Sequence, residues 1–312
     1  MLTIYKTEEG RLHEVSEVQP GCWINLAAPT AQELQKVSEA TGALPELLRA
    51  ALDEEERSHI EVEEDEKQTL ILVDIPRVEK EREHFVYSTL PFGIVHCEDY
   101  IITVCLTDSV LVDAFANGQI KGLSTAKKTK FIFQLLFYNA GRFLSYLRQI
   151  DRAGDRVQEE MRRSYRNKEL FQMMALEKSL VYFSTSLKSN EIVLEKLLRV
   201  NIIKKYEDDE ELLEDVIIEN KQAIEMCSIY RDIFSGTMDA FASIISNNLN
   251  IVMKLLASLT IVLAIPALFA AYWGMNVPVP FEGNPMGFYI VLGLSLIGTL
   301  ATVFVLWKKK MF

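Results

Sequence analysis

The chain has 312 residues, of which 49% are hydrophobic and 25% charged, and its formal charge is −11. That acidic balance excludes a nucleic-acid partner, which needs a basic face. Four cysteines (Cys22, Cys97, Cys105, Cys227) without CxxC spacing and four scattered histidines (His13, His59, His84, His96) exclude a dedicated soft-metal site.

The N-terminus, MLTIYKTEEGR, has no apolar h-region, so no cleavable signal peptide is expected. Leu2–Tyr5 and Leu12–Val15 flank Glu8-Glu9-Gly10, a hairpin signal. Trp23–Leu26 is a short apolar strand. Thr30 followed three residues later by Glu33 predicts a capping box and a helix to Thr41, ended by Gly42. Pro45 opens a short helix through Leu52. Strands are predicted at His59–Glu63, Thr69–Ile75, His84–Thr89, Phe92–His96 and Tyr100–Cys105 from apolar/polar alternation. Asp53–Glu66 holds nine carboxylates against one arginine. It reads either as solvated surface or as an oxygen-ligand site for a hard divalent cation.

From Ser109 the texture changes. No proline occurs between Phe92 and Ile265, and helix formers dominate. Helices are predicted over Ser109–Asn117, Lys127–Arg166 and Lys168 to about Lys205. The acidic run Glu207–Asp215, seven carboxylates and no base, opens the next helix at the favourable end of its dipole. Leu213, Ile217, Ile224, Cys227, Phe234, Met238, Phe241 and Ile245 follow a three/four spacing interrupted by Asn220 and Arg231, a seam for packing. Nothing breaks that pattern before Asn250. A single helix from Glu211 to Trp273 would be on the order of 95 Å long.

Leu255–Trp273 and Met286–Trp307 carry no charge, and each is long enough to cross about 30 Å of hydrocarbon. The soluble-core alternative is disfavoured, because a core helix seldom runs so far without a charge. Lys308-Lys309-Lys310 puts the C-terminus in the cytoplasm by the positive-inside rule, and two spans return the N-terminus to the same side. The chain is thus expected to be a multi-pass plasma (inner) membrane protein, in contact with lipid and with both termini cytoplasmic. Its expected segments are a mixed α/β domain (1–108), a helical region (109–210), a stalk helix (211–254), a first span (255–273), an outer loop (274–285), a second span (286–307) and a basic tail (308–312).

Two helices cannot enclose a polar path, so conduction requires several copies around an axis. Asn250, Met253, Ala257, Thr260, Ala264, Ala267, Ala271 and Gly274 recur at helical spacing and make one narrow, small face. That face is either a helix–helix contact or a pore wall.

Tyr272-Trp273-Gly274-Met275-Asn276 between two terminal spans, with a basic tail, resembles the signature of the CorA family of divalent-cation transporters. Trp23–Leu26 with Pro29, Thr30 and Glu33 is similar to the start of that family's soluble domain. Leu176–Leu198 resembles a bacterial CorA-like subgroup. The resemblance implies an α/β cytoplasmic domain, a long stalk helix and two C-terminal transmembrane helices, assembled into a funnel-shaped homo-oligomer, a pentamer. It implies membrane-potential-driven Mg2+ uptake gated by cytosolic Mg2+, so that Mg2+ is both cargo and regulator. The same family also holds Zn2+, Co2+ and Ni2+ transporters, including proton-coupled ones. A non-conducting membrane scaffold is the alternative of another class. No P-loop, nucleophile elbow or Gly-rich phosphate cradle is seen, so neither an enzyme nor an organic cofactor is expected.

By the same resemblance, Gly274, Met275 and Asn276 form the outer selectivity mouth, with helix capping as the plainer role for Asn276. Asn250, Met253 and Leu256 stand at the cytoplasmic end of the pore, followed by Ala257, Thr260, Ala264, Ala267 and Ala271. Asp215 and Asp239 match acidic regulatory positions. Glu282 in the outer loop either attracts cations or is simply solvated.

Overall fold

The computed structural model describes residues 1–81, 84–163, 167–200, 202–204, 206–280 and 283–311. The chain divides into two compact units, Met1–Thr237 and Met238–Phe312.

The first unit is built on a seven-stranded sheet of order β2-β1-β3-β7-β6-β5-β4. The hairpin β1 (Leu2–Glu8) and β2 (Arg11–Glu14) turns through Glu9 and Gly10, both at positive φ (50° and 79°). That conformation is easy for glycine and explains where the turn sits. β3 (Trp23–Ala27) pairs antiparallel with β1 and parallel with β7 (Ile101–Cys105). Trp23 is fully buried, and its Nε1 donates to Thr103 Oγ1 at 2.8 Å, which donates to Asn25 Oδ1 at 3.0 Å. The indole therefore adds apolar area to the core without leaving an unpaired N–H.

α1 (Ala31–Thr41) starts with the expected reciprocal Thr30/Glu33 capping box and ends at Gly42 in the left-handed region. With α2 (Pro45–Ala50) it covers one face of the sheet, over Leu70, Leu72, Val95 and Val104. The other face, with Ile71, Val73, Phe92 and Ile94, is packed by α3 (Val110–Ala116), α4 (Lys128–Arg163), α5 (Asn167–Arg199) and the start of α6 (Glu207–Trp273).

Four elements differ from expectation. β5 (Gln68–Glu81) runs past Ile75, and β6 (His84–His96) is one strand where two were expected. β7 ends opposite Phe92 and β4 (His59–Glu63) opposite Leu72. Pro91 and Pro76 therefore lie where each strand has an open edge, and there a missing N–H breaks no ladder on that side. α5 stops at Arg199, short of the predicted Lys205, which lies outside the described residues. The chain turns there to bury Ile203, and Thr129 Oγ1 donates to the carbonyl of Lys204 at 2.8 Å. α6 begins at Glu207 rather than Glu211, and the Asp209 carboxylate accepts from the Tyr206 N–H at 3.2 Å.

Within the first unit α6 buries Leu213, Val216, Ile217, Ala223, Cys227 and Phe234. Asn220, the polar interruption in that seam, is also buried and donates to the carbonyl of Leu187 at 3.0 Å. The second unit is a helical hairpin of the end of α6 and α7 (Pro285–Lys308). α7 opens on Asn284, whose side chain accepts from the Met286 N–H, with Pro285 at the first helical position. The most apolar window of each helix has a mean hydropathy of 2.3, and only 6% of it is buried within the chain. A core helix of a soluble fold would be covered; these two are long and apolar enough to cross a membrane.

Candidate functional site

α7 covers one stripe of the apolar part of α6. Ser258 is fully buried there, and Val262, Ile265 and Phe269 are half-buried. A Cβ added at Gly298 of α7 would stand 3.3 Å from both Ile265 and Phe269, so the two helices meet closely at that glycine. At about 100° per residue, the small stripe through Ala257, Thr260, Ala264, Ala267 and Ala271 lies about 150° from the α7 contact. All of these residues are exposed, as are Asn250, Met253 and Leu256. Within one chain the small face is thus not a contact with α7.

Thr260 is polar but not free. Its hydroxyl donates to the carbonyl of Leu256 at 2.8 Å, which leaves its lone pairs as the group presented outward. Asn250 makes no side-chain hydrogen bond among the described residues.

α6 ends at Trp273, and the Gly274 N–H donates to the carbonyl of Ala270 at 2.9 Å. A Cβ on Gly274 would stand 3.1 Å from that same oxygen, so the position is tight for any other residue. Met275 and Asn276 are exposed beyond the helix end, and the Asn276 amide makes no capping hydrogen bond among the described residues. Glu282 lies outside the described residues.

At the other end of the hairpin the chain closes on itself. Lys310 adopts φ 53°, the Lys310 N–H bonds the carbonyl of Trp307, and the Met311 N–H bonds that of Leu306. This is a Schellman ending. It turns the Met311 carbonyl onto α6, where Ser258 Oγ donates to it at 3.1 Å. Lys308, Lys309 and Lys310 therefore lie at the same end of the hairpin as Lys254, as two antiparallel spans require. Sequence reading passed over Ser258 and Gly298; a lone serine and a lone glycine inside apolar runs were the only signals.

Asp215 and Asp239 are both exposed on α6, the first in the Met1–Thr237 unit and the second in the Met238–Phe312 unit. Among the described residues no three His, Cys, Asp or Glu side chains converge to hold a metal. All four cysteines are free and buried, and burial pushes the thiols of Cys97 and Cys227 up to about 11.

The profile of the family described as CorA-like Mg2+ transporter protein matches residues 19–310. The chain belongs to the CorA family. It is 29% identical, over 308 residues, to a protein of Methanocaldococcus jannaschii named cobalt/magnesium transport protein CorA, covering 95% of this chain and 93% of that one. Its fold is similar to the complete structure of the CorA magnesium transporter from that organism, with a TM-score of 0.83 and 23% identity over 98% of this chain and 96% of that one. It is also similar to the full-length CmaX protein, with a TM-score of 0.69 and 16% identity over 96% of each chain. The family match spans both the α/β unit and the apolar hairpin.

Proposed function

We propose that the chain is a CorA-type channel for Mg2+, with Co2+ as a second cargo, which assembles as a homopentamer with one small α6 face per subunit turned toward the axis. The observation that carries this reading is the exposed stripe Asn250–Ala271, set opposite the α7 contact and ending at Gly274-Met275-Asn276. Both termini are cytoplasmic in this arrangement. Names carried by relatives point to Mg2+ and Co2+, and the small face carries no Cys or His to select Zn2+.

Mg2+ releases its inner water shell reluctantly. The groups along this face suit an intact aqua-ion. Asn276 amide oxygens and nearby carbonyls would accept hydrogen bonds from its waters at the outer mouth, and Thr260 lone pairs would do so midway. Met253 and Leu256 would form the apolar inner constriction. Glu282 would add one negative charge per subunit near the outer mouth. An inside-negative potential contributes about 4.6 kcal/mol per divalent ion at 100 mV, so uptake needs no other energy source.

Such a pore needs a brake. Asp215 and Asp239 are exposed and unclustered within one chain, as residues shared between subunits would be. Cytosolic Mg2+ bound between subunits at these carboxylates, with the Asp53–Glu66 run as a source of partners, would hold the stalks together. Loss of Mg2+ would let like charges repel and the pore widen.

Flux into proteoliposomes decides the matter. The expected result is voltage-driven Mg2+ entry, suppressed by Mg2+ on the side of the soluble domain, with that suppression weakened in Asp215→Ala. Entry restricted to Zn2+ and steepened by a pH gradient would replace this reading with a proton-coupled one. No flux of any ion from an assembled oligomer would leave a membrane scaffold.

A further inference from the structure

Two sets of polar side chains on the α4-facing side of the sheet contrast. In one, Trp23, Asn25 and Thr103 satisfy one another. In the other, the cross-strand pair Thr69 and His96 makes no side-chain hydrogen bond among the described residues. Thr69 is only 5% exposed. Burial and the neighbouring Lys128 ammonium hold the His96 imidazole down at about 4, so at neutral pH it offers one donor and one acceptor.

These two residues floor a cavity of about 970 Å3, at the upper end of the roughly 300–1,000 Å3 typical of small-molecule sites. One wall is the start of α4, where Lys127, Lys128 and Lys130 stand with no acid in the first turn. Cations at this end of a helix oppose its dipole unless an anion offsets them. Lys128 donates to the carbonyls of Cys97 and Glu98, whereas Lys127 and Lys130 have no ion pair among the described residues. Lys204 lines the cavity from the segment that leads into α6. The lining also holds five carboxylates, Glu63, Glu64, Glu98, Asp208 and Asp209, which disfavour a bare anion; Glu98 pairs with Lys67 at 3.8 Å and Asp209 accepts from the Tyr206 N–H. No three acidic or metal-ligating groups converge among the described residues, so a cation bound here must bring its own ligands.

We propose that this cavity binds a phosphate chain chelated to a divalent cation: an inorganic polyphosphate or the triphosphate of a nucleotide. The phosphate oxygens meet Lys127, Lys130, Lys204 and the Thr69 hydroxyl, and the chelated cation lies toward the acidic side. Tyr206, 63% exposed at the lining, supplies a stacking face for a base. The site does not depend on what the chain transports, and Tyr206, Asp208 and Asp209 of its wall stand where α6 opens.

Calorimetry on the full-length chain in detergent tests this, with ATP, tripolyphosphate and inorganic phosphate each titrated at fixed Mg2+ and again in chelator. The expected result is saturable, Mg2+-dependent binding of ATP and tripolyphosphate, with slowed amide exchange over residues 126–131 and 202–209. Joint replacement of Lys127→Ala and Lys130→Ala should weaken binding about tenfold or more, as loss of two charge-assisted contacts would, without changing thermal stability. Lys121→Ala, outside the cavity, should leave it unchanged. A preference for ATP that Tyr206→Ala removes identifies a nucleotide; equal binding of ATP and tripolyphosphate identifies the phosphate chain alone. No saturable binding at about 1 mM, binding as tight in chelator, or binding that survives the double substitution overturns the proposal.

Discussion

Gly154 of α4 and Phe234 of α6 are in direct contact: a Cβ placed on Gly154 would lie 2.3 Å from the Phe234 ring. Phe234 is 3% exposed and is the last fully buried side chain of α6 in the Met1–Thr237 unit. A glycine in mid-helix is unfavourable by roughly 1 kcal/mol relative to alanine, so its presence here is explained by the ring that needs the space. Gly154→Ala should therefore destabilise the first unit by about 1–2 kcal/mol, overpacking outweighing the gain in helix propensity. Phe234→Leu in the same chain should recover part of that loss. Thermal unfolding of the two single variants and the double variant, read as a cycle, checks it; additive effects would mean that the two residues do not share the strain.

The proposed outer mouth gives a second prediction. Gly274 has 3.1 Å between a would-be Cβ and the carbonyl of Ala270, and Asn276 is exposed without a capping role among the described residues. Gly274→Ala should push the helix end outward and lower Mg2+ flux about tenfold, the equivalent of roughly 1.4 kcal/mol. Asn276→Ala should lower it further while leaving thermal stability unchanged, since no hydrogen bond within the chain is lost. A fall in stability that parallels the fall in flux would show a folding defect instead.

Much of this architecture could be read from local chemistry. The Thr30/Glu33 box, Gly42, the Glu9-Gly10 turn and the two uncharged runs each carry their own cause, and each appears where it was expected. What could not be read depended on partners distant in sequence. The expected strand bounds Thr69–Ile75, His84–Thr89 and Phe92–His96 stop short of Pro76 and Pro91, yet β5 and β6 run through both prolines at positions beyond the ends of β4 and β7. Asn220 looked like a flaw in an apolar seam, yet it is buried against the Leu187 carbonyl 33 residues away. At the candidate site, the alanine-rich stripe was legible as a periodicity. Its orientation away from α7 was not, because that depends on Ser258, Gly298 and the turn at Lys310.

His96 supplies a pH prediction. Its folded-state pKa lies at about 4, below the ordinary 6.5, because burial and Lys128 both disfavour the charged ring. The unfolded chain therefore holds a proton that the folded chain lacks across that window. Stability is fully present above 6.5 and is lost as pH falls toward about 4, with a slope of up to about 1.4 kcal/mol per pH unit. His96→Gln should flatten that part of the profile. Unfolding midpoints at several pH values, compared between the natural chain and the variant, provide the check; parallel profiles would assign the acid sensitivity to carboxylates instead.

The Ser258–Met311 hydrogen bond supplies the last. Ser258 is the one fully buried polar side chain among the described residues of the second unit, although Ala257 and Leu259 beside it are exposed. Ser258 lies on the stripe that α7 covers, and the returning tail closes over it, since Ser258 Oγ reaches the Met311 carbonyl at 3.1 Å. A hydrogen bond between membrane helices contributes about 0.6–2 kcal/mol, enough to bias a short tail between docked and free. Ser258→Ala should release it, and amide exchange at Lys309, Lys310 and Met311 should quicken about three- to tenfold. The helical hydrogen bonds earlier in α7 do not involve the tail, so exchange there should not change. If the tail amides keep their protection in the alanine variant, the tail is held by the Lys310 turn alone. The serine would then be a packing residue and not a latch between the basic tail and α6.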